Sequence, residues 1–327
     1  MPLKLTTYSR GKDIPELPGE NIFHSRQMFL LYEAVKGYNP ILIVATDDGI
    51  VVGKILGVIR RNTRLIPAWV ARRCEIMGTG EYFGDNTDKE FVFGEILAHL
   101  TKEALRHSAV ITFRNLQHNM FGYKYFRQNR YFGVNWLRVR NSLHDIDAVE
   151  TRFSPSRIRQ IKKGIQNGAL VSETDSMDEI REFSRMLQKI YASRLRKYFP
   201  SFDFFKKMCE QLVNDKLAKI FVVRYKGKII GGSVCVYSAS NAYLWFSGGM
   251  RKSYVKQYPG VLAVWQALRD AYENGYRHLE FMDVGLPFRK HGYREFVLRF
   301  GGKQSSTRRW FRFRWNLLNN LMIRIYS

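Results

Sequence analysis

Three basic residues, Arg159, Lys162 and Lys163, fall within one turn of a segment that reads as a helix. It runs Arg157-Ile158-Arg159-Gln160-Ile161-Lys162-Lys163-Gly164, opens at Ser154-Pro155-Ser156 and ends at Asn167-Gly168. Side chains so spaced can converge on a single anion, and the positive end of the helix adds to their field. Further along, Asp283 lies in a short apolar run, Leu279 to Val284, of strand length. A carboxylate at a strand end can orient an amine or take its proton, and it can equally cap the following turn. The basic loop Phe288-Arg289-Lys290-His291-Gly292-Tyr293-Arg294 comes next, offering Arg289 and Tyr293 beside Asp283, with His291 reading as a surface histidine. This is equipment for binding a phosphorylated molecule and moving a proton. The seven histidines include no pair at metal-binding helical spacing, and no Gly-x-Ser-x-Gly elbow or Walker pattern occurs, so no metal site or such nucleophile is expected.

The elements that must position these residues are legible from periodicity. From Val261 the residues Leu262, Val264, Trp265, Leu268, Ala271 and Tyr272 share one face of a helix that Pro259-Gly260 opens and Gly275 stops. Two hairpins are expected, one around Asp48-Gly49 between Ile41 and Ile59, the other around Lys226-Gly227 between Ile220 and Tyr237. Gly49 and Gly53 stand at the same spacing as Gly227 and Gly231. Each hairpin follows a helical segment, Met28 to Val35 and Glu179 to Tyr198, and each is followed by a further helix and strand. The reading is a mixed α/β unit used twice, with the boundary between Asp145 and Pro155 and hence domains over residues 1–150 and 151–327.

Lysine and arginine number 53 against 29 acidic residues, a formal charge of +24. That field favours RNA, phosphorylated intermediates or an anionic membrane surface, and says nothing of fold. Cys74, Cys209 and Cys235 show neither redox nor metal-ligand spacing, which points to a reducing compartment. No signal-like opening or membrane-spanning run is present, so a cytoplasmic protein is expected.

The order of these features resembles FemABX-type transferases. In that family a basic helix with an Arg-Asn-Ile-Arg-like core precedes a glycine, as Arg159 to Gly164 and Asn167-Gly168-Ala169 do here. The hairpin with Gly227 and Gly231, the Pro259-Gly260 helix, Asp283-Val284-Gly285 and Phe296 to Gly302 then follow in the family's order, covering most of residues 150–305. The first half is similar in architecture only. The resemblance implies two tandem GNAT-like domains, each a twisted mixed sheet flanked by helices, and transfer of an acyl group to an amine. In FemABX members the group passes from aminoacyl-tRNA to a peptidoglycan precursor, and the related BioF2-like acyltransferase group shares the second-half signature. No tightly bound cofactor is implied. The donor is aminoacyl-tRNA or acyl-CoA, and the single glycine of Tyr258-Pro259-Gly260 fits a CoA cradle less well than a tRNA-borne donor.

Two departures from the family bear on the site. Where the family carries a lysine thought to stabilise the tetrahedral intermediate, this chain has Val297, so Arg299 or Lys303 is expected to supply the charge from a strand through Phe296–Gly302. Where it tends to carry a substrate-binding lysine in the first helix, this chain has Tyr32, with Lys36 one turn on. A binding-only, tRNA-holding relative is the alternative that Val297 motivates. At the C-terminus, Arg308 to Trp315 reads as a strand, and Leu317, Leu318, Leu321, Met322 and Ile325 form an apolar helical stripe. The adopted reading is a last strand and helix sealing the second domain; the alternative is peripheral contact with an anionic membrane.

Overall fold

Two tight turns set the plan of the molecule. Asp48-Gly49 and Lys226-Gly227 each hold both residues at positive φ, 45° and 83° in one and 49° and 75° in the other. This is the twist of a two-residue hairpin turn, which glycine adopts without steric penalty. In both hairpins one residue is then squeezed out of register just before a glycine, Val52 before Gly53 and Ile230 before Gly231. The same offset of turn and bulge in two places marks one fold used twice.

The structure is a computed structural model that describes residues 3–61, 66–85, 87–116, 120–195 and 199–326. The first half runs β1 (Lys4–Tyr8), α1 (Arg26–Ala34), β2 (Tyr38–Asp47), β3 (Ile50–Arg61), α2 (Ala68–Ala71), β4 (Arg72–Met77), β5 (Glu81–Tyr82), α3 (Lys89–His107), β6 (Val110–Arg114), α4 (Tyr123–Gln128) and β7 (Phe132–Ser142). The second runs α5 (Pro155–Gln166), β8 (Leu170–Glu173), α6 (Met177–Leu195), α7 (Phe202–Met208), β9 (Ala218–Tyr225), β10 (Lys228–Ser238), β11 (Asn241–Gly249), α8 (Pro259–Glu273), β12 (His278–Phe281), α9 (Gly292–Leu298), β13 (Lys303–Phe313) and α10 (Asn316–Tyr326). The end of the helix expected over 179–198 falls at 196–198, outside the described residues.

The chain forms two compact units, Met1–Trp136 with Ser306–Ser327, and Leu137–Ser305. Within the first, the strands lie in the order β1-β2-β3-β4-β6-β13, with β5 against β3; β4 and β6 run parallel and the other neighbours antiparallel. Within the second, the order is β8-β9-β10-β11-β12-β7, and again only the fourth and fifth strands, β11 and β12, run parallel. Each unit is thus a mixed sheet of the same plan. In the second unit a Cβ on Gly231 would meet Pro259 of α8, and one on Gly232 would meet Phe183 of α6. Successive strand residues point to opposite faces, so these helices cover the two sides of the sheet. Val223, Cys235, Leu244, Val264, Leu268, Phe281 and Val297 form the apolar core beneath α8.

Three expectations are corrected. The division at residue 150/151 is displaced, because the strand following β6 does not pair beside it: residues 139–142 of β7 pair with β12, and residues 309–313 of β13 pair with β6. Each unit therefore completes its sheet with a strand from the other half of the sequence. Phe296–Gly302 is not a strand but the end of α9 and a turn, with Gly301 at φ 81°. The C-terminal helix α10 belongs to the first unit and does not seal the second.

Candidate active site

The site begins where two parallel strands part. β11 pairs with β12 only over Asn241–Leu244 against His278–Phe281; Trp245 is then bulged out of the β10 ladder, and β11 continues to Gly249 with β10 alone. A bulge bends its strand and re-aims the residues beyond it, so the chain after Trp245 diverges from that after Phe281. The equivalent pair in the first unit stays closed: β4 and β6 are in register from Arg73 to Met77, and Gly78 N–H extends the ladder to Arg114 O at 2.8 Å. The opening is a property of the second unit.

Four residues meet in this opening. Tyr191 Oη donates to the carbonyl oxygen of Ser247 at 2.9 Å, so that carbonyl faces the parted side. The N–H and C=O of one strand residue project to the same edge, and Ser247 N–H therefore faces the opening too. The Tyr293 hydroxyl lies beside Tyr191, Ser247 and Asp283; burial and then Tyr191 raise its pKa, the Ser247 hydrogen bond opposes them, and Asp283 adds the smallest rise. A phenol so shifted keeps its proton where a free tyrosine would lose it, and it can donate. Asp283 itself is exposed, two residues beyond β12.

Arg294 holds the loop that carries Asp283 and Arg289. Its buried guanidinium donates to the carbonyls of Leu286 at 2.8 Å and Arg289 at 2.6 Å, with Val284 at 3.4 Å. Three carbonyls from one loop on one cation fix the path of backbone that has no ladder to join.

The N-terminus of α8 closes the end of the opening. A Cβ on Gly249 would lie 2.8 Å from Gly260 Cα, and one on Gly231 would lie 2.8 Å from Pro259 O, so strand and helix backbones touch because both positions are glycine. Replacing Gly249 by alanine should destabilise the protein by about 1–3 kcal/mol; a urea midpoint unchanged from wild type would show that α8 does not abut the strand as described. Beside this helix start lies an open depression of about 190 Å³ lined by Ser156, Arg159, Gln160, Lys163 and Tyr258. α5 is held there by Asn167 Nδ2 donating to Lys256 O at 3.0 Å and by close approach of Gly164 to Gln257 O. Pro259 has no N–H, and Val261 N–H is bonded to Tyr258 O at 2.9 Å. The positive character of the depression thus rests on the side chains of Arg159 and Lys163 more than on a row of amides.

Arg157 ties α5 to α9. Its buried guanidinium sits 4.4 Å from the Phe296 ring centroid and 4.6 Å from that of Phe300, and donates to Phe296 O at 2.8 Å and to Gln160 Oε1 at 2.5 Å. Burial, and then the neighbouring Arg299, bring its pKa down to about 10.

The structure therefore groups Tyr293 with Asp283, and Arg159 with Lys163. Lys162 is exposed on α5 and is not among the residues lining the depression. Arg289 is exposed in the loop, Lys303 is exposed at the start of β13, and Lys36 is exposed in the turn between α1 and β2 of the first unit. Arg299 is the C-cap of α9, beside Arg157, about 9 Å along the helix from Tyr293. The expectation that it shares a face with Val297 fails, because residues two apart on a helix point to nearly opposite sides; Val297 is core and Arg299 is exposed. Sequence reasoning missed Ser247, Tyr191 and Arg294. Ser247-Gly248-Gly249 was visible as a run, but nothing local marks the bulge at Trp245.

Residues 156–290 match the family model described as an acetyltransferase (GNAT) domain. No curated protein sequence matches the chain. Among solved structures, FemX superposes with a TM-score of 0.65 at 11% identity, over 94% of this chain and 95% of that one. A tandem GNAT protein from the clavulanic acid biosynthesis pathway gives 0.57 at 10% identity, over 96% and 99%. The C-terminal domain of a putative lysylphosphatidylglycerol synthetase from Agrobacterium fabrum gives 0.60 at 11% identity, over 93% and 91%. The strand plan repeated in the two units and these likenesses agree: the chain has the double GNAT-like fold of FemABX-type proteins, with the matched acetyltransferase (GNAT) domain lying in its second half.

Proposed function

We propose that the protein is an N-acyltransferase that moves an acyl or aminoacyl group from a phosphate-bearing donor to an amine of a phosphorylated cell-envelope precursor. The observation that carries the reading is the parting of β11 from β12 beside Tyr293, with the Arg159 and Lys163 depression at the adjoining helix start. In this reading the donor's carbonyl lies along β11, and its oxygen accepts from Ser247 N–H as negative charge develops on it. Asp283 takes a proton from the attacking amine, and Tyr293 delivers one to the departing oxygen or sulfur. Arg159 and Lys163 hold donor phosphate, while Lys162 and Arg289 of the same unit are left for the acceptor's phosphates. Arg299 and Lys303 are not needed for the oxyanion, which a backbone amide serves without Val297 being a lysine.

Aminoacyl-tRNA is the donor that best suits a formal charge of +24 and a helix start opened by proline, since phosphate contacts with cationic side chains are independent of base sequence. Such a donor exists inside cells, which makes the reading a cytoplasmic one. Acyl-CoA, the donor of a BioF2-like enzyme, is the alternative. The names of two similar structures, FemX and a lysylphosphatidylglycerol synthetase, support an envelope component as acceptor. The test offers the purified chain labelled aminoacyl-tRNA or acyl-CoA with amine-bearing envelope precursors and reads the acylated product by mass spectrometry. Absence of product with both donor classes, together with tight tRNA retention, would leave the binding-only reading.

A further inference from the structure

We infer that α10 and the neighbouring sheet end of the first unit form a docking surface for an anionic lipid bilayer. The helix is packed inside out. Asn319 is fully buried, its Nδ2 donating to Arg130 O and its Oδ1 accepting from Phe313 N–H, each at 2.9 Å, and Tyr326 stacks on Phe132. The opposite face presents Leu317, 87% exposed, Leu321, 54%, and Ile325, 60%. These positions are four apart and form one stripe. An amphipathic helix on a soluble core ordinarily does the reverse.

A second element extends the apolar surface. Trp69 of α2, 61% exposed, lies edge-on to Trp315 at 6.0 Å, joining α2 to the start of α10. Two tryptophans next to an outward leucine stripe are the composition of an interfacial surface, where the ring bodies sit among acyl chains and the indole N–H groups reach water. Scattered exposed apolar residues need no explanation, but a contiguous set drawn from separate segments does.

Charge selects the occupant. Arg314 N–H donates to Ala109 O, and Ala109 N–H to Arg72 O, both at 2.9 Å, while Arg61 is in register with Arg72. Arg61, Arg72 and Arg314 are thus gathered at the end of the sheet that leads into Trp315 and α10, with exposed Arg324 on the helix itself. Residues 303–327 contain no aspartate or glutamate. An apolar stripe bordered by cations, with no acidic residue in the segment, complements acyl chains beneath anionic head groups. A second copy of the same surface would instead bring like charges together.

The test is sedimentation of the full chain with vesicles of phosphatidylcholine alone and of an equal mixture with phosphatidylglycerol. The wild type should bind the anionic vesicles, and a combined Leu317→Ser, Leu321→Ser, Ile325→Ser variant should bind them roughly hundredfold more weakly. The pair Arg314→Gln and Arg324→Gln should weaken binding roughly tenfold and reduce its salt dependence. All five positions are exposed, and circular dichroism should report an unchanged fold. The proposal is overturned if the wild type fails to bind anionic vesicles, or if the serine variant binds as well. It is also overturned if light scattering shows a lipid-free dimer that this variant abolishes. Vesicle binding does not require a competent transfer site, so this result and that of the acyl-transfer assay stand apart.

Discussion

Tyr293→Phe is expected to lower kcat by roughly a hundredfold to a thousandfold while leaving KM within about twofold, the range for losing a positioned proton donor. The ring lies against Phe296 and Phe281, and phenylalanine keeps that packing, so the change removes a hydroxyl and little else. The pH behaviour is set by the direction of its shift. Burial, with Tyr191 and Asp283 nearby, raises the folded pKa above the tyrosine value of 10.0, so the proton is retained through the range in which a free tyrosine would lose it. The wild-type rate should therefore show no alkaline decline near pH 10 attributable to this group. Measurement of kcat and KM for both proteins across pH decides the matter. A variant with unimpaired kcat would remove Tyr293 from the chemistry and leave the opening without its acid.

Substituting Arg159 and Lys163 together by glutamate should raise the donor's KM roughly hundredfold or more, with kcat at saturating donor little changed. Each contact between a charged side chain and phosphate contributes about 1.5–3 kcal/mol, and reversal adds repulsion. Both side chains are exposed at the rim of the depression, and neither supports the core. The fold should be intact by circular dichroism. Lys162→Glu is the internal comparison: it lies on the same helix but does not line the depression, so a loss equal to that of the double variant would mean that α5 acts through its net charge and not through a site. Isothermal titration with the donor separates the two outcomes.

Features specified by short stretches were legible from the sequence. The hairpins at Asp48-Gly49 and Lys226-Gly227 were, because positive φ at two successive positions favours a few residue types. So was α8, where Pro259 starts the helix and Gly275 at φ 74° follows its end, with the apolar face set by the helical period between them. The repeat itself was visible as the equal spacing of two glycine pairs. Within the site, the grouping of Arg159 with Lys163 was available, since residues four apart on a helix share a face whatever it packs on.

Tertiary structure decided the rest, wherever a local pattern admitted two answers. Phe296-Val297-Leu298-Arg299-Phe300 is apolar enough for a strand or a helix, and its packing as the end of α9 and the turn after it, with Val297 and Phe300 in the core and Arg157 clamped between the rings of Phe296 and Phe300, is settled by long-range contacts. The sequence marks β7 and β13 as strands but cannot say which neighbour each will take, because pairing depends on what else reaches the sheet; hence the displaced unit boundaries. The apolar stripe of α10 was equally plain in the sequence, yet only the burial of Asn319 turns it outward. The opening between β11 and β12 has the same origin. One residue, Trp245, leaves the ladder, and that departure aligns Ser247 with Tyr293, 46 positions later in the chain, at a place no spacing rule connects.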